Sequence, residues 1–200
     1  MTAHSPGFTV FRDMRRIASG SLADAAIAYQ QATMADPNAA VFIFDDLHGD
    51  TRDVDVRGTA VDIRARYGTP APAAPAGEAA PARTRGRPKL GVVSREVTLL
   101  PRHWEWLAGQ PGGASVALRK LVDEARRRHA GRDLQRRAQE RAYRFMSTIA
   151  GDLPGFEEAS RALFANDLEA LGSRMAGWPD DVRAHVLRLA SPDDLVDAPA

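Results

Sequence analysis

Arg95-Glu96-Val97-Thr98-Leu99-Leu100-Pro101, running on into Arg102-His103-Trp104-Glu105-Trp106-Leu107, decides how this chain is read. From Arg95 to Leu99 polar and apolar residues alternate, the period of a half-buried strand, with Val97 and Leu99 on one face and Glu96 and Thr98 on the other. Pro101 stops the strand, since proline brings no N–H to a ladder and presets the first turn of a helix. A helix is predicted from about Arg102 to Gly109 and a turn at Gln110-Pro111-Gly112-Gly113. A second helix starts at Ala114 or Ser115 and runs through Leu118, Leu121, Val122 and Ala125 to Arg126-Arg127-Arg128. One strand and two amphipathic helices cannot close a core, so a dimer is expected. Val97, Leu99, Trp104, Leu107, Leu118, Leu121 and Val122 would form its core. Trp104 and Trp106 lie about 200° apart on a helix, one for the core and the other for a dimer or interdomain contact.

Working outward, residues 68–82 read GTPAPAAPAGEAAPA, too poor in apolar bulk to offset the entropy of ordering. They form the first part of an Ala/Pro-rich linker over residues 68–92, extended in polyproline style. Residues 1–67 read as a small β-β-α-β-β-α domain. Its strands are Phe8–Phe11, Arg16–Gly20, Ala40–Phe44 and Asp53–Arg57, the last two forming a hairpin through Leu47-His48-Gly49-Asp50. Its helices are Leu22–Met34, capped by Ser21 with Asp24 three residues on, and a brief one around Val61, Ile63 and Tyr67. Residues 93–130 hold the strand and two helices. Residues 131–200 read as helical: Leu134, Ala138, Ala142, Phe145, Met146 and Ile149 keep one stripe. Short helices then cover roughly 154–165, 167–176 and 179–190, begun by Pro154, Asn166-Asp167 and Pro179. The predicted class is α+β.

A net charge of +1, from 27 Lys and Arg against 26 Asp and Glu, hides a segregation. Residues 1–67 carry −2, residues 68–144 carry +9 and residues 145–200 carry −6. Such asymmetry points to a polyanion-binding region inside an acidic protein. About half of the central excess, Arg83, Arg85, Arg87 and Lys89, sits in one seven-residue peptide directly ahead of the strand. Zero cysteines exclude disulfide scaffolds, thiolate metal sites and thiol catalysis. With no signal-peptide run at Met1–Arg16 and no stretch of about 18 apolar residues, a cytoplasmic protein without membrane association is expected.

The stretch from Arg95 to Arg128 resembles the ribbon-helix-helix family of DNA-binding proteins. That resemblance implies two copies pairing their strands into an antiparallel ribbon that enters the major groove of double-stranded DNA. Glu96 and Thr98 would then face the bases, with Arg95 at the strand edge, and Ser115 would offer the unpaired N–H groups of its helix start to a phosphate. Two registers fit Leu99-Leu100-Pro101: one leaves Leu100 outward against a thymine methyl, the other shifts by one and exchanges the faces. Just upstream, Arg85-Gly86-Arg87-Pro88, between Arg83 and Lys89, resembles an AT-hook core, an extended peptide whose arginines lie along an A·T minor groove. The run Arg126-Arg127-Arg128, Arg132, Arg136-Arg137, Arg141 and Arg144 reads instead as a solvated helix face.

Across most of residues 8–190 the chain is also similar to an uncharacterised bacterial family of unknown function. The residues carrying this are Ile43-Phe44-Asp45-Asp46, Val54-Asp55-Val56-Arg57-Gly58, Arg85 to Val93, Arg95 to Leu107, and Trp178-Pro179-Asp180-Asp181-Val182-Arg183. The resemblance implies the architecture above and supplies no activity.

Enzymatic chemistry finds little footing. Asp45, Asp46, His48 and Asp50, with Asp53 and Asp55, gather carboxylates and an imidazole, but turn residues followed by a solvent-facing strand explain them. His103 reads as a packed or capping histidine. No phosphate loop, zinc-protease helix or nucleophile elbow occurs. The expectation is a non-enzymatic, homodimeric DNA-binding protein of regulatory or nucleoid-associated type, without cofactor or metal. The alternative is an interaction module whose ribbon-helix-helix segment only dimerises.

Overall fold

The computed structural model describes residues 7–68, 93, 95–192 and 195. Among them it is α+β and mostly helical, with three strands and seven helices. Two compact units divide the chain, one drawn from 1–69 and 131–200, the other from 70–130.

In the first unit, β1 (Phe8–Arg12) and β2 (Arg15–Gly20) form a tight antiparallel hairpin that turns at Asp13, whose φ of 54° is tolerated by a short polar side chain. β3 (Val41–Asp45) lies antiparallel on the other side of β1, giving the order β2-β1-β3. Alternation then sorts the side chains. Val10 and Ile43 share one face and pack on Ala25 of α1 (Leu22–Ala35), whose small residues let helix and sheet approach closely. As its sequence predicts, Ser21 caps α1, its hydroxyl accepting from Asp24 N–H at 3.2 Å.

Phe11 and Phe44 point to the opposite face, into the main core. That core is completed by Ala142, Phe145, Met146 and Ile149 of α4 (Gly113–Ile149) with α5 (Phe156–Phe164), α6 (Leu168–Arg174) and α7 (Asp180–Ala190). Phe145 sits edge-on to Phe44 with ring centroids 4.6 Å apart. Trp178 closes the far end, its indole N–H donating to Pro154 C=O at 2.8 Å.

Three expectations are corrected. Asp53–Arg57 is no strand: beyond one bridge from Phe44 to Thr51, the chain leaves β3, so the unit is β-β-α-β-α. Its backbone is claimed by side chains, Gln30 Nε2 donating to Val56 C=O and Gly58 C=O while Tyr67 Oη accepts from Asp55 N–H. Residues 95–100 likewise form no strand and pair with none among the described residues. A two-stranded ribbon needs a second strand, and none among the described residues lies beside this stretch. The second predicted helix, finally, does not stop at Arg128, for α4 continues without a break to Ile149.

The second unit holds α3 (Pro101–Ala108) and the start of α4. Between them Gly112 and Gly113 take φ of 86° and 76°, a conformation that asks for glycine. α2 (Ala60–Tyr67) belongs to the first unit, where a Thr59–Asp62 capping box starts it and Ile63 anchors it on Ala26 and Ile27.

Candidate functional site

Two places gather chemistry. The first is the segment from Arg95 to Val122, where the residues expected to bind DNA lie. Arg95 and Thr98 are exposed on the irregular stretch before α3, and Ser115 is exposed in the first turn of α4. Arg83, Arg85, Gly86, Arg87, Pro88 and Lys89 lie outside the described residues. Of the expected dimer core, Leu107 is buried and Leu99 and Leu118 half-buried. Val97, Trp104, Leu121 and Val122 are exposed, as are Leu100 and Trp106. Between α3 and α4 runs an apolar groove of about 270 Å³, lined by Leu99, His103, Trp106, Leu107, Leu118 and Leu121. Trp106, not Trp104, lines the groove, together with His103.

The arginine run downstream divides. Arg128 pairs with Glu124 and Arg136 with Asp133 and Glu140, as a solvated face would. Arg141 does not fit that reading, because it is 1 % exposed. The signal was present: Arg141 stands three residues after Ala138 and four before Phe145, inside the apolar stripe of its helix.

Arg141 opens the second place, a buried polar hub within the first unit. Its guanidinium donates to Leu189 C=O at 2.7 Å, Asp46 C=O at 3.1 Å and Ser191 C=O at 2.8 Å. Asp46 Oδ2 accepts from Thr9 Oγ1 at 3.0 Å and pairs with Arg188 Nη2 at 2.9 Å. Arg188 Nη2 also faces His185 Nδ1 at 3.1 Å. A guanidinium only donates, so Nδ1 is the acceptor and the ring proton sits on Nε2, 3.5 Å from Asp46 Oδ1. Those last two atoms are buried facing each other and neither makes a hydrogen bond.

Burial dominates the ionisation of this hub. It pushes His185 down to about 2, with Arg188, Arg16 and Arg141 adding like-charge repulsion, so the imidazole is neutral. Burial raises Asp46, while Arg188, Thr9 and Arg141 pull the other way. Buried at Asp46, Arg141 and His185 and half-buried at Arg188, the hub ties β1, the end of β3, α4 and α7 together.

The acidic loop before it is built for the same job. Asp45 Oδ1 accepts from Leu47 N–H at 2.8 Å and Oδ2 faces His48 Nδ1 at 3.1 Å, while Arg144 holds Asp50 Oδ2 at 3.0 Å. Asp46 turns inward, away from this pair, and among the described residues no three potential ligands converge on a metal position. Gly49, at φ 77°, presses on α4 so closely that a Cβ would lie 2.0 Å from Arg141 C=O.

The hub and the Arg95–Leu107 stretch both fall inside a match to a family model described as "Uncharacterized protein conserved in bacteria (DUF2239)", which spans residues 7–190. The chain belongs to that family. No curated protein and no solved structure matches it. DUF2239 carries no assigned function, so the functional reading rests on the geometry of the two places described. Among the described residues no helix is long and apolar enough to cross a membrane.

Proposed function

We propose that this DUF2239 chain is a dimeric DNA-binding protein of regulatory or nucleoid-associated type. The observation that carries the proposal is the unfinished core of the 95–122 segment. Val97, Leu100, Trp104, Trp106, Leu121 and Val122 leave large apolar surfaces in water, next to six residues of backbone with no strand partner. About half exposed, each such side chain forgoes on the order of 1 kcal/mol of burial, a cost that a second copy removes by covering the groove and pairing residues 95–99. The cationic peptide Arg83–Lys89 precedes this segment in sequence and Arg126-Arg127-Arg128 follows it, which supports a polyanion as the ligand of the dimer. In this reading Arg95 and Thr98 meet the major groove, Arg85 and Arg87 the adjacent A·T minor groove, and Ser115 a phosphate.

One observation favours the runner-up, a module that dimerises and binds no DNA: Glu96 is exposed on the would-be reading face, where a carboxylate repels phosphate. Two variants separate the readings. Arg85→Ala with Arg87→Ala keeps the dimer mass in light scattering and loses at least about tenfold in affinity for A·T-rich duplex, taking ~1–3 kcal/mol as the worth of such contacts. Leu121→Asp with Val122→Asp yields a folded monomer, because both positions are exposed in the single chain and become buried only by the partner. Wild-type chain that is dimeric yet has no affinity for duplex favours the module. Wild-type chain that is monomeric at every concentration contradicts both.

A further inference from the structure

The first turns of α4 carry two unlike faces. At about 100° per residue, Leu118, Leu121, Val122 and Ala125 fall within roughly 100° of arc and Arg119, Lys120, Arg126 and Arg127 within roughly 120°, the two arcs centred about 150° apart. Leu118 and Leu121 line the groove with α3, so the basic arc lies on the far side of the helix. All four cations are exposed, and none makes an ion pair or a side-chain hydrogen bond among the described residues. Asp123, at the centre of the basic arc, makes none either.

This face differs from the solvated one beside it. Arg128 finds Glu124 four residues before it, yet Asp123, at the same spacing before Arg127 and after Arg119, pairs with neither. The face keeps four cations against one carboxylate. They stand as two pairs, Arg119-Lys120 and Arg126-Arg127, about 10 Å apart along the axis. A DNA duplex presents one negative charge per ~1.7 Å of its axis, so a cationic face of that length laid against it has several phosphates within reach. An acidic membrane matches it less well. A helix lying on lipid sinks an apolar face flanked by its cations, whereas here the apolar arc lines the groove and lies opposite them.

We propose that Arg119, Lys120, Arg126 and Arg127 form a sequence-independent grip on the phosphate backbone of the duplex, a role that rests on the DNA-binding reading and extends it. A second copy covering the apolar arc leaves the basic arc of both copies outward. Contacts to phosphate hold a protein on the duplex and carry no sequence information. The face therefore adds the same affinity to every duplex, whereas Arg85 and Arg87 add theirs to A·T-rich ones. Asp123 is repelled by the phosphates that the four cations hold, so it weakens the grip.

The test titrates A·T-rich and G·C-rich duplexes with the full chain between about 50 and 200 mM salt, for the wild type and two variants. The first variant combines Arg119→Gln, Lys120→Gln, Arg126→Gln and Arg127→Gln. It keeps its helix content and dimer mass, its slope of log K on log[salt] is shallower by at least about 2, and the ratio of its affinities for the two duplexes is unchanged. The second, Asp123→Asn, breaks no ion pair and binds both duplexes at least about twofold tighter. A wild type that binds no duplex removes the DNA-binding reading and this inference together. A wild type that binds while the quadruple variant keeps its slope overturns this inference alone, as does a quadruple variant that turns monomeric or loses its A·T preference. Asp123→Asn with unchanged or weaker binding also overturns it. Binding to phosphatidylserine vesicles that the quadruple variant loses, with its duplex slope intact, overturns it in favour of a membrane.

Discussion

His185 gives the stability of the first unit a definite pH dependence. Its imidazole is held neutral down to about 2 by burial and by Arg188, Arg16 and Arg141, whereas in the unfolded chain it titrates near 6.5. The folded state therefore binds fewer protons below 6.5, and stability present above that value is lost as pH falls, by up to ~1.4 kcal/mol per unit. Asp46, raised by burial, works in the opposite direction, since the folded state takes up its proton first as pH falls toward 3.8. The urea midpoint of the wild type is expected to drop between pH 7 and 5 with a slope that His185→Gln flattens; equal slopes refute the assignment. Gly49 is a second residue with a steep effect. At φ 77° and with Arg141 C=O where its Cβ would stand, Gly49→Ala is expected to cost at least ~2 kcal/mol in thermal or urea unfolding. Much at this level was readable beforehand: Ser21 as a cap follows from its place before an apolar helical stripe. The burial of Arg141 is legible too, from its place in the apolar stripe of α4, but the hub is not, because its longer contacts join residues 48 to 179 positions apart and only the packed helices bring them to Asp46 and Thr9.

Helices whose signals are local came out near their expected bounds. α1 and α5 to α7 each carry a cap or breaker and an apolar stripe of their own, so pattern and structure agree within a few residues. Strands fared worse because a strand is a property of a pair. Asp53–Arg57 has the alternation of one, yet Gln30, Tyr67 and Arg66 reach its backbone first, and none of these contacts is encoded within the segment. Arg95–Leu99 has the same alternation without a partner strand among the described residues. α4 was expected as two stretches, one ending at Arg126-Arg127-Arg128 and one carried by the stripe from Leu134 to Ile149, but nothing between them, Gly131 included, breaks a helix whose turns are supported by pairs such as Arg136–Glu140. Gly131 has nothing within 4 Å of where a Cβ would stand. Gly131→Ala is accordingly expected to raise stability by about 0.5–1 kcal/mol, measured as a higher urea midpoint with unchanged helix content. A loss of stability there would mean that the position requires a glycine conformation other than helical.

Taken together, the chain's net charge of +1 is the sum of unlike parts: −2 and −6 in its outer segments, +9 between residues 68 and 144. Within that middle the 95–122 segment leaves large apolar side chains exposed, while the first unit, which takes in residues 131–144 of the middle, is closed around Phe11, Phe44 and Phe145 and clamped by Asp46 and Arg141. In the proposed reading the exposed apolar residues of the 95–122 segment are covered by a second copy and the dimer binds a polyanion. The whole-molecule consequence is electrostatic, because each phosphate neutralised adds about −0.9 to the slope of log K on log[salt]. The direct measurement is a fluorescence-anisotropy titration of labelled A·T-rich duplex with the full chain, repeated between about 50 and 200 mM salt, the range over which counterion release changes affinity most visibly. The account predicts tight binding at the low end and a log–log slope of about −4 or steeper, as expected for a dimer that neutralises several phosphates. Undetectable binding at about 50 mM, or an affinity that does not change with salt, would contradict it.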